Sequence, residues 1–185
     1  RLSAKKSKTK VIAKIEMPSA LLDLRNIILE SDGVMVARGD LGVELPVEKV
    51  PMAQREIIRK SIHRAKPVIV ATQMMESMID RVKPNRSEIT DVANAVLEGA
   101  DAVMLSGETA TGKHPALVVE KTEYRYDREE DLIPQPHSPS FLSDAVCYNA
   151  CKLANDTKAE ALIGMTQSGY TAFMLSSYRP RCPLY

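Results

Sequence analysis

Val11-Ile12-Ala13-Lys14-Ile15-Glu16 is the stretch from which the fold can be read. Val11 to Ile15 is apolar on both faces except for one lysine, the pattern of a strand buried between helices. Working outward, Pro18-Ser19 opens a helix whose apolar stripe is Leu21, Leu22, Ile27 and Ile28. Gly33-Val34-Met35-Val36-Ala37 is a second strand. Past Pro46 and Pro51, a helix is predicted from about Met52 to Ala65. Pro67-Val68-Ile69-Val70-Ala71 is a third strand. A helix then runs from Ser87 to Leu97, with Gly99 placed to end it. Ala102-Val103-Met104-Leu105 is a fourth strand, and Pro115 begins another helix. Strands alternating with helices in this way predict right-handed βαβ units and a parallel sheet.

Every polar cluster follows a strand: Lys14 and Glu16, Arg38-Gly39-Asp40, Thr72-Gln73, and Ser106-Gly107-Glu108-Thr109. That is the C-terminal face of a parallel sheet, where α/β barrels put their active sites. An open doubly wound sheet uses the same face. The pattern alone does not separate the two.

Beyond Tyr124 the texture changes to Arg128-Glu129-Glu130-Asp131 followed by Pro134, Pro136 and Pro139, an exposed linker and domain boundary. A helix over Ser143 to Ala154 follows, then a strand Ala161-Leu162-Ile163-Gly164-Met165. Thr166-Gln167-Ser168-Gly169 makes a tight turn into a helix over Thr171 to Ser177. This is the first βα unit of a second α/β domain.

Composition sets the broad class. With 44% hydrophobic and 26% charged residues the chain reads as soluble and globular rather than disordered. A net charge of +1 gives no electrostatic case for nucleic acid or an acidic membrane. No apolar run approaches a membrane span, and no secretory leader is read. Three cysteines, Cys147, Cys151 and Cys182, make a disulfide framework improbable and fit a reducing, cytoplasmic setting. With no Trp and two Phe, the core must be built from aliphatic residues and methionine.

Lys14 and Glu16 are two apart on one strand, so both side chains share a face. A lysine within an apolar strand needs a partner or a task. A structural ion pair would satisfy it; so would a cation and a metal-binding carboxylate aimed at one anionic substrate. Asp40 favours the second reading, because neighbouring strands bring their C-terminal ends together. Two carboxylates with substrate oxygens and water suit Mg²⁺ or Mn²⁺. Gly39 lets a ligand approach the backbone closely, although an isolated Gly-Asp pair commonly makes an ordinary turn. The Thr72 hydroxyl can donate to a substrate or relay a proton. Ser106 and Glu108 share a face and can order water, or simply cap a helix. His63, His114 and His137 show no metal-ligand spacing. Met74, Met75 and Met78 read as core filling, and Cys147 and Cys151 as buried apolar residues. Lys5, Lys6, Lys8 and Lys10 form a solvated basic run.

The motifs resemble those of the pyruvate kinase family. Lys14-Ile15-Glu16 is similar to its Lys-Ile-Glu strand, and Ala37-Arg38-Gly39-Asp40-Leu41-Gly42 to its Ala-Arg-Gly-Asp-Leu-Gly segment. Ala71-Thr72-Gln73-Met74, Pro84-Asn85-Arg86-Ser87-Glu88 with Asp91 to Val96, and Leu105-Ser106-Gly107-Glu108-Thr109 also match, in family order. Thr166 to Ala172 resembles the opening phosphate-binding turn of the family's C-terminal domain. Several ordered motifs are far more specific than one short pattern.

The resemblance implies a parallel (β/α)8 TIM-type barrel, here only its last four βα units, followed by the start of a second α/β domain. The expected divisions are 1–123, partial barrel; 124–139, linker; 140–185, beginning of the effector-type domain. The implied activity is phosphoryl transfer from phosphoenolpyruvate to ADP, giving pyruvate and ATP. Lys14 would stabilise charge on the phosphoryl group in flight and on the enolate. Glu16 and Asp40 would hold Mg²⁺ or Mn²⁺. The N–H groups of Gly39 and Asp40, with the Thr72 hydroxyl, would hold the substrate carboxylate. Thr72, Ser106 and Glu108 would relay a proton to the enolate. Arg86 would lie at a subunit interface of a tetramer. Thr166, Gln167, Ser168, Gly169 and Thr171 would line a sugar-phosphate effector site. K⁺ is implied too, but its ligands lie in the four strands this sequence lacks, as do the early arginines and the lid domain. A half barrel exposes sheet edges and core, so these residues alone are expected to be inactive and to belong to a longer chain. Asn85 and Met75 stand where the family more often has Thr and Leu. A metal-dependent pyruvate aldolase would not need Thr72 and Ser106-Gly107-Glu108 together. A non-catalytic assembly module is the other alternative.

Overall fold

The structure, a computed structural model, describes residues 9–122, 134 and 139–185. The expected linker lies almost wholly outside these residues, as do Lys5, Lys6, Lys8 and His137. Two compact units are present.

The first unit runs β1 (Ile12–Ile15), α1 (Pro18–Leu22), α2 (Leu24–Glu30), β2 (Gly33–Ala37), α3 (Arg38–Glu44), α4 (Val50–Ile62), β3 (Val68–Ala71), α5 (Arg86–Glu98), β4 (Ala102–Met104), α6 (Gly107–Ala110) and α7 (Pro115–Thr122). Its four strands are all parallel and lie in the order β1-β2-β3-β4. That order is the one a partial barrel makes. A doubly wound sheet reverses its strand order at a switch point, whereas a barrel adds each strand beside the last.

The central strands are valine-rich and sealed. Val34, Val36, Val68 and Val70 are fully buried, with Leu24, Ile28, Leu41, Ile57, Ile58 and Val92 packed as core. Each such side chain contributes roughly 1.5–3 kcal/mol by leaving water. Met74, Met75 and Met78 join the core at 0% exposure, as expected of gap-filling residues. β1 departs from its expected burial: Val11 and Ile12 are 40% and 52% exposed. Among the described residues β1 pairs with β2 alone, so its outer edge has no cover.

Local signals set the helix ends. Pro51 sits in the first turn of α4, which therefore starts at Val50 rather than after the proline. α4 stops at Ile62, short of Ala65, whose φ of 48° breaks the helix. A capping box formed by Asn85 and Glu88 starts α5, with Asn85 N–H donating to Glu88 Oε2 at 2.8 Å. Gly99 ends it in the left-handed region at φ 107°. At the N-terminal ends of the strands, Asp32 and Asp101 accept the backbone N–H groups of Val11 and Val68 at 2.9 and 2.7 Å. The opposite ends are left for the polar clusters.

The second unit contains α8 (Phe141–Asp156) and α9 (Tyr170–Ser177). Its core is Cys147, Cys151 and Leu175, with Leu162, Met174, Tyr178 and Leu184 packed on it. All three cysteines are free. The strand expected over 161–165 is reduced to one parallel bridge between Leu162 and Leu184. Leu162 packs on the core, but Ile163 and Met165 on the opposite face are 77% and 93% exposed, so only one face of that segment is covered.

Candidate active site

β1 and β2 pair in the register Lys14↔Met35, which brings the residues just past Ala37 beside the end of β1. Lys14 Nζ lies 2.5 Å from Glu16 Oε2 and 2.7 Å from Asp40 Oδ2. The three side chains are about half exposed, at 51%, 42% and 56%. Hydrogen bonds first to Asp40 and then to Glu16 push the Lys14 ammonium well above the usual lysine range. The same contact with Lys14 holds the Asp40 carboxyl below its ordinary value. Two carboxylates thus converge on one positive charge.

That donor set fits a divalent cation. Mg²⁺ commonly takes one or two carboxylates and fills its remaining positions with water and substrate oxygens. Among the described residues no group of three or more His, Cys, Asp or Glu forms a closed protein cage. The arrangement is open toward a ligand instead.

The second cluster is built on the junction of β2 and α3. The helix follows the strand without a loop, so Gly39 and Asp40 fall in its first turn with backbone N–H groups that lack intrahelical partners. Gly39 N–H donates to Thr72 Oγ1 at 3.1 Å. A Cβ at Gly39 would stand 3.2 Å from that oxygen, so glycine is what lets the hydroxyl approach. Thr72 and Gln73 are both left-handed, at φ 71° and 54°. For a β-branched residue this is a true outlier, and such residues cost on the order of 1–3 kcal/mol each unless their surroundings hold them.

The surroundings do hold them. Arg38, 8% exposed, donates from Nη2 to Thr72 O at 2.8 Å and to Gln73 O at 2.7 Å. Its Nη1 pairs with Asp91 Oδ2 of α5 at 2.5 Å. From the other side Glu108, 2% exposed, accepts Met75 N–H at 3.2 Å and Ser106 N–H at 2.7 Å. Burial pushes the Glu108 carboxyl upward, but these and further backbone N–H groups outweigh it and hold the group below its ordinary value. Glu108 is therefore a fixed anion that ties the β4 end to the loop after Thr72.

The structure brings Lys14, Glu16 and Asp40 together, Gly39 with Thr72, and Glu108 with the backbone of Ser106. Arg86 begins α5 and is exposed. In the second unit, Thr166 Oγ1 accepts Gly169 N–H at 3.0 Å, and Ser168 Oγ accepts Tyr170 N–H at 3.4 Å. Gly169 is left-handed at φ 81°, which makes the tight turn into α9.

Comparison with known proteins gives this geometry its context. The family model described as pyruvate kinase, barrel domain, matches residues 2–119. The chain belongs to the pyruvate kinase family. The model for that family's alpha/beta domain matches residues 144–185. Pyruvate kinases of Corynebacterium efficiens and Leishmania mexicana are 48% and 45% identical to it, each over 94% of this chain and 37% of their own length. A crystal structure of a pyruvate kinase from Cryptosporidium parvum superposes with a TM-score of 0.73 at 40% identity, covering 96% of this chain and 38% of that one. The chain thus spans well under half the length of the pyruvate kinases it matches.

Sequence reading assigned no task to Arg38 or Asp91. Arg38 did carry a signal: it directly follows a buried strand, where an arginine needs several partners. Asp91 carried none, because an acid on a helix face is usually solvated.

Proposed function

We propose that a full-length protein carrying this chain transfers the phosphoryl group of phosphoenolpyruvate to ADP, giving pyruvate and ATP. Membership of the pyruvate kinase family supports this, and the observation that carries it is the convergence of Glu16 and Asp40 on Lys14. In this reading Glu16 and Asp40 hold Mg²⁺ or Mn²⁺. When bound, the metal supplies positive charge to the phosphoryl and enolate oxygens. Lys14, kept protonated by its neighbours, stabilises the phosphoryl group in flight and the enolate left behind. Gly39 N–H, Asp40 N–H and the Thr72 hydroxyl orient the substrate carboxylate. Thr72 and Ser106 handle the proton that converts enolpyruvate to pyruvate, with Glu108 fixing the backbone of Ser106.

The remaining roles follow the family. K⁺ would be held outside this segment. Arg86 would contribute to a subunit interface in a tetramer. The turn Thr166, Gln167, Ser168, Gly169 and Thr171 would accept a sugar-phosphate effector. The domains would divide near 123 and 140. Among the described residues no helix is long and apolar enough to cross a membrane, and we place the enzyme in the cytoplasm with other glycolytic activities.

The test is pyruvate formation from phosphoenolpyruvate and ADP by the full-length protein, followed through coupled lactate dehydrogenase. Turnover that requires both substrates and is abolished by chelation supports the reading. Its absence at saturating Mg²⁺ and K⁺ overturns it. Asp40→Asn should raise the Mg²⁺ needed for half-maximal rate, and an unshifted titration would remove Asp40 from the metal site.

A further inference from the structure

We infer that Arg38 is a positioning residue for Thr72: its guanidinium, anchored by Asp91, grips the carbonyls of Thr72 and Gln73 and so aims the threonine hydroxyl at the Gly39 N–H. This deepens the proposed function and rests on it.

Four observations carry the inference. The guanidinium is almost wholly enclosed, with Arg38 8% exposed. It spends its donors on the backbone of one loop: Nη2 reaches Thr72 O at 2.8 Å and Gln73 O at 2.7 Å, and Nε reaches Thr72 O at 3.3 Å. The two residues so gripped are left-handed, at φ 71° and 54°. The hydroxyl that results sits 3.1 Å from Gly39 N, one residue from Arg38 itself. Arg38 thus links both sides of the carboxylate-binding groups: its own peptide leads into Gly39, and its side chain fixes Thr72.

The chemistry explains why arginine is used. Carbonyls of successive left-handed residues point the same way and are left without a ladder partner. A planar fork of N–H donors can hold both, whereas a lysine ammonium at the same place is a point charge on a flexible stem. Asp91 Oδ2 at 2.5 Å from Nη1 fixes the rotation of the fork and balances its charge. Met74 Sδ, 3.0 Å from Nη2, closes the remaining side. None of these contacts involves Lys14, Glu16 or the phosphoryl-transfer groups. Loss of Arg38 should therefore fall on the carboxylate end of the substrate.

The experiment is a double-mutant cycle in the full-length enzyme. Arg38→Gln should raise the KM for phosphoenolpyruvate about 10- to 100-fold, the scale on which small misplacements act, while the KM for ADP stays within about twofold. In a Thr72→Val background, which has no hydroxyl to aim, Arg38→Gln should add less than about twofold. A merely structural arginine gives the opposite: losses that multiply in both backgrounds and a KM for ADP that moves as much. Either result overturns the inference. If Arg38→Gln does not fold, Asp91→Asn is the second variant. It keeps the guanidinium and frees its rotation, and should raise the phosphoenolpyruvate KM several-fold; an unchanged value overturns the anchor and the inference with it. An unsubstituted enzyme without turnover instead sinks the proposed function, and takes this inference down by that separate route.

Discussion

Lys14 and Asp40 touch across two parallel strands, Nζ to Oδ2 at 2.7 Å, with Glu16 completing a cluster of one cation and two anions. The relationship follows from strand arithmetic. Lys14 and Glu16 share a face because strand side chains alternate, and β2 delivers Asp40 to the same rim because it pairs in parallel with β1. The ammonium stands between the carboxylates as a bound cation would.

Lys14→Met removes that charge without touching either carboxylate. The two anions then lack compensation, so Mn²⁺ affinity, read by electron paramagnetic resonance, should be retained or improved in the full-length enzyme. Phosphoryl transfer should fall by at least about 10²-fold, the scale for losing one preorganised charge in a reaction centre. Turnover within a factor of a few of the unsubstituted enzyme would remove Lys14 from the chemistry.

Gly39→Ala separates stability from function. Gly39 lies within α3 and is not among the positive-φ glycines, so alanine should help the helix by up to about 1 kcal/mol. Its Cβ would meet Thr72 Oγ1 at 3.2 Å, and the hydroxyl has to yield a few tenths of an ångström. The expected result is an unchanged or higher melting temperature with a KM for phosphoenolpyruvate raised roughly 10-fold or more. A variant with unaltered KM would show that the Gly39–Thr72 approach has no part in binding.

The sequence made the strands legible because β2 and β3 are short, largely β-branched and mostly buried, with Met35 and Ile69 half-buried on the second face. It made Lys14, Glu16 and Asp40 legible because period-2 alternation and parallel order are properties of the chain itself. The choice between barrel and open sheet needed the match to the family's barrel domain, with which the observed strand order agrees. Arg38 and Asp91 were illegible as a pair because their contact joins the start of α3 to α5, and no local pattern records which acid a buried arginine will find. The left-handed turn at Thr72-Gln73 was equally hidden, since neither residue favours that backbone and it is held by contacts distant in sequence, from Arg38 and Gly39 and, at the next residue but one, from Glu108. The strand expected at 161–165 was reduced for a related reason: its apolar residues mark a face, but its backbone pairing is one short bridge, Leu162 with Leu184, closed by bonds to Pro183 and Tyr185.

Ser61 offers a test of polar accounting in the barrel unit. It lies on α4 at 0% exposure, and among the described residues its Oγ has no hydrogen-bond partner. A buried hydroxyl without a partner costs its desolvation and returns nothing. Ser61→Ala should therefore leave stability unchanged or raise it by about 1 kcal/mol, read as the urea midpoint of the full-length enzyme. A loss greater than about 1 kcal/mol would show that the hydroxyl is satisfied in solution.

Glu108 predicts how the site behaves in acid. Backbone N–H groups hold its folded carboxyl below the unfolded value, so the ionised form stabilises the fold. The sign follows: this stability is fully present above the unfolded value of roughly 4.3 and is lost as pH falls through the lower folded one. Glu108→Gln turns an amide that can donate toward the donors of Ser106 and Met75, one oxygen's acceptance being lost at each flip. At neutral pH it should cost on the order of 1–3 kcal/mol, the penalty for leaving a buried donor unmet. Below pH 4 the gap between the two proteins should narrow, because protonation leaves the glutamic acid with the same deficit. Urea midpoints measured from pH 3 to 7 read both effects. Parallel curves for the two proteins would show that the Glu108 charge is not what holds the β4 end to the Thr72 loop.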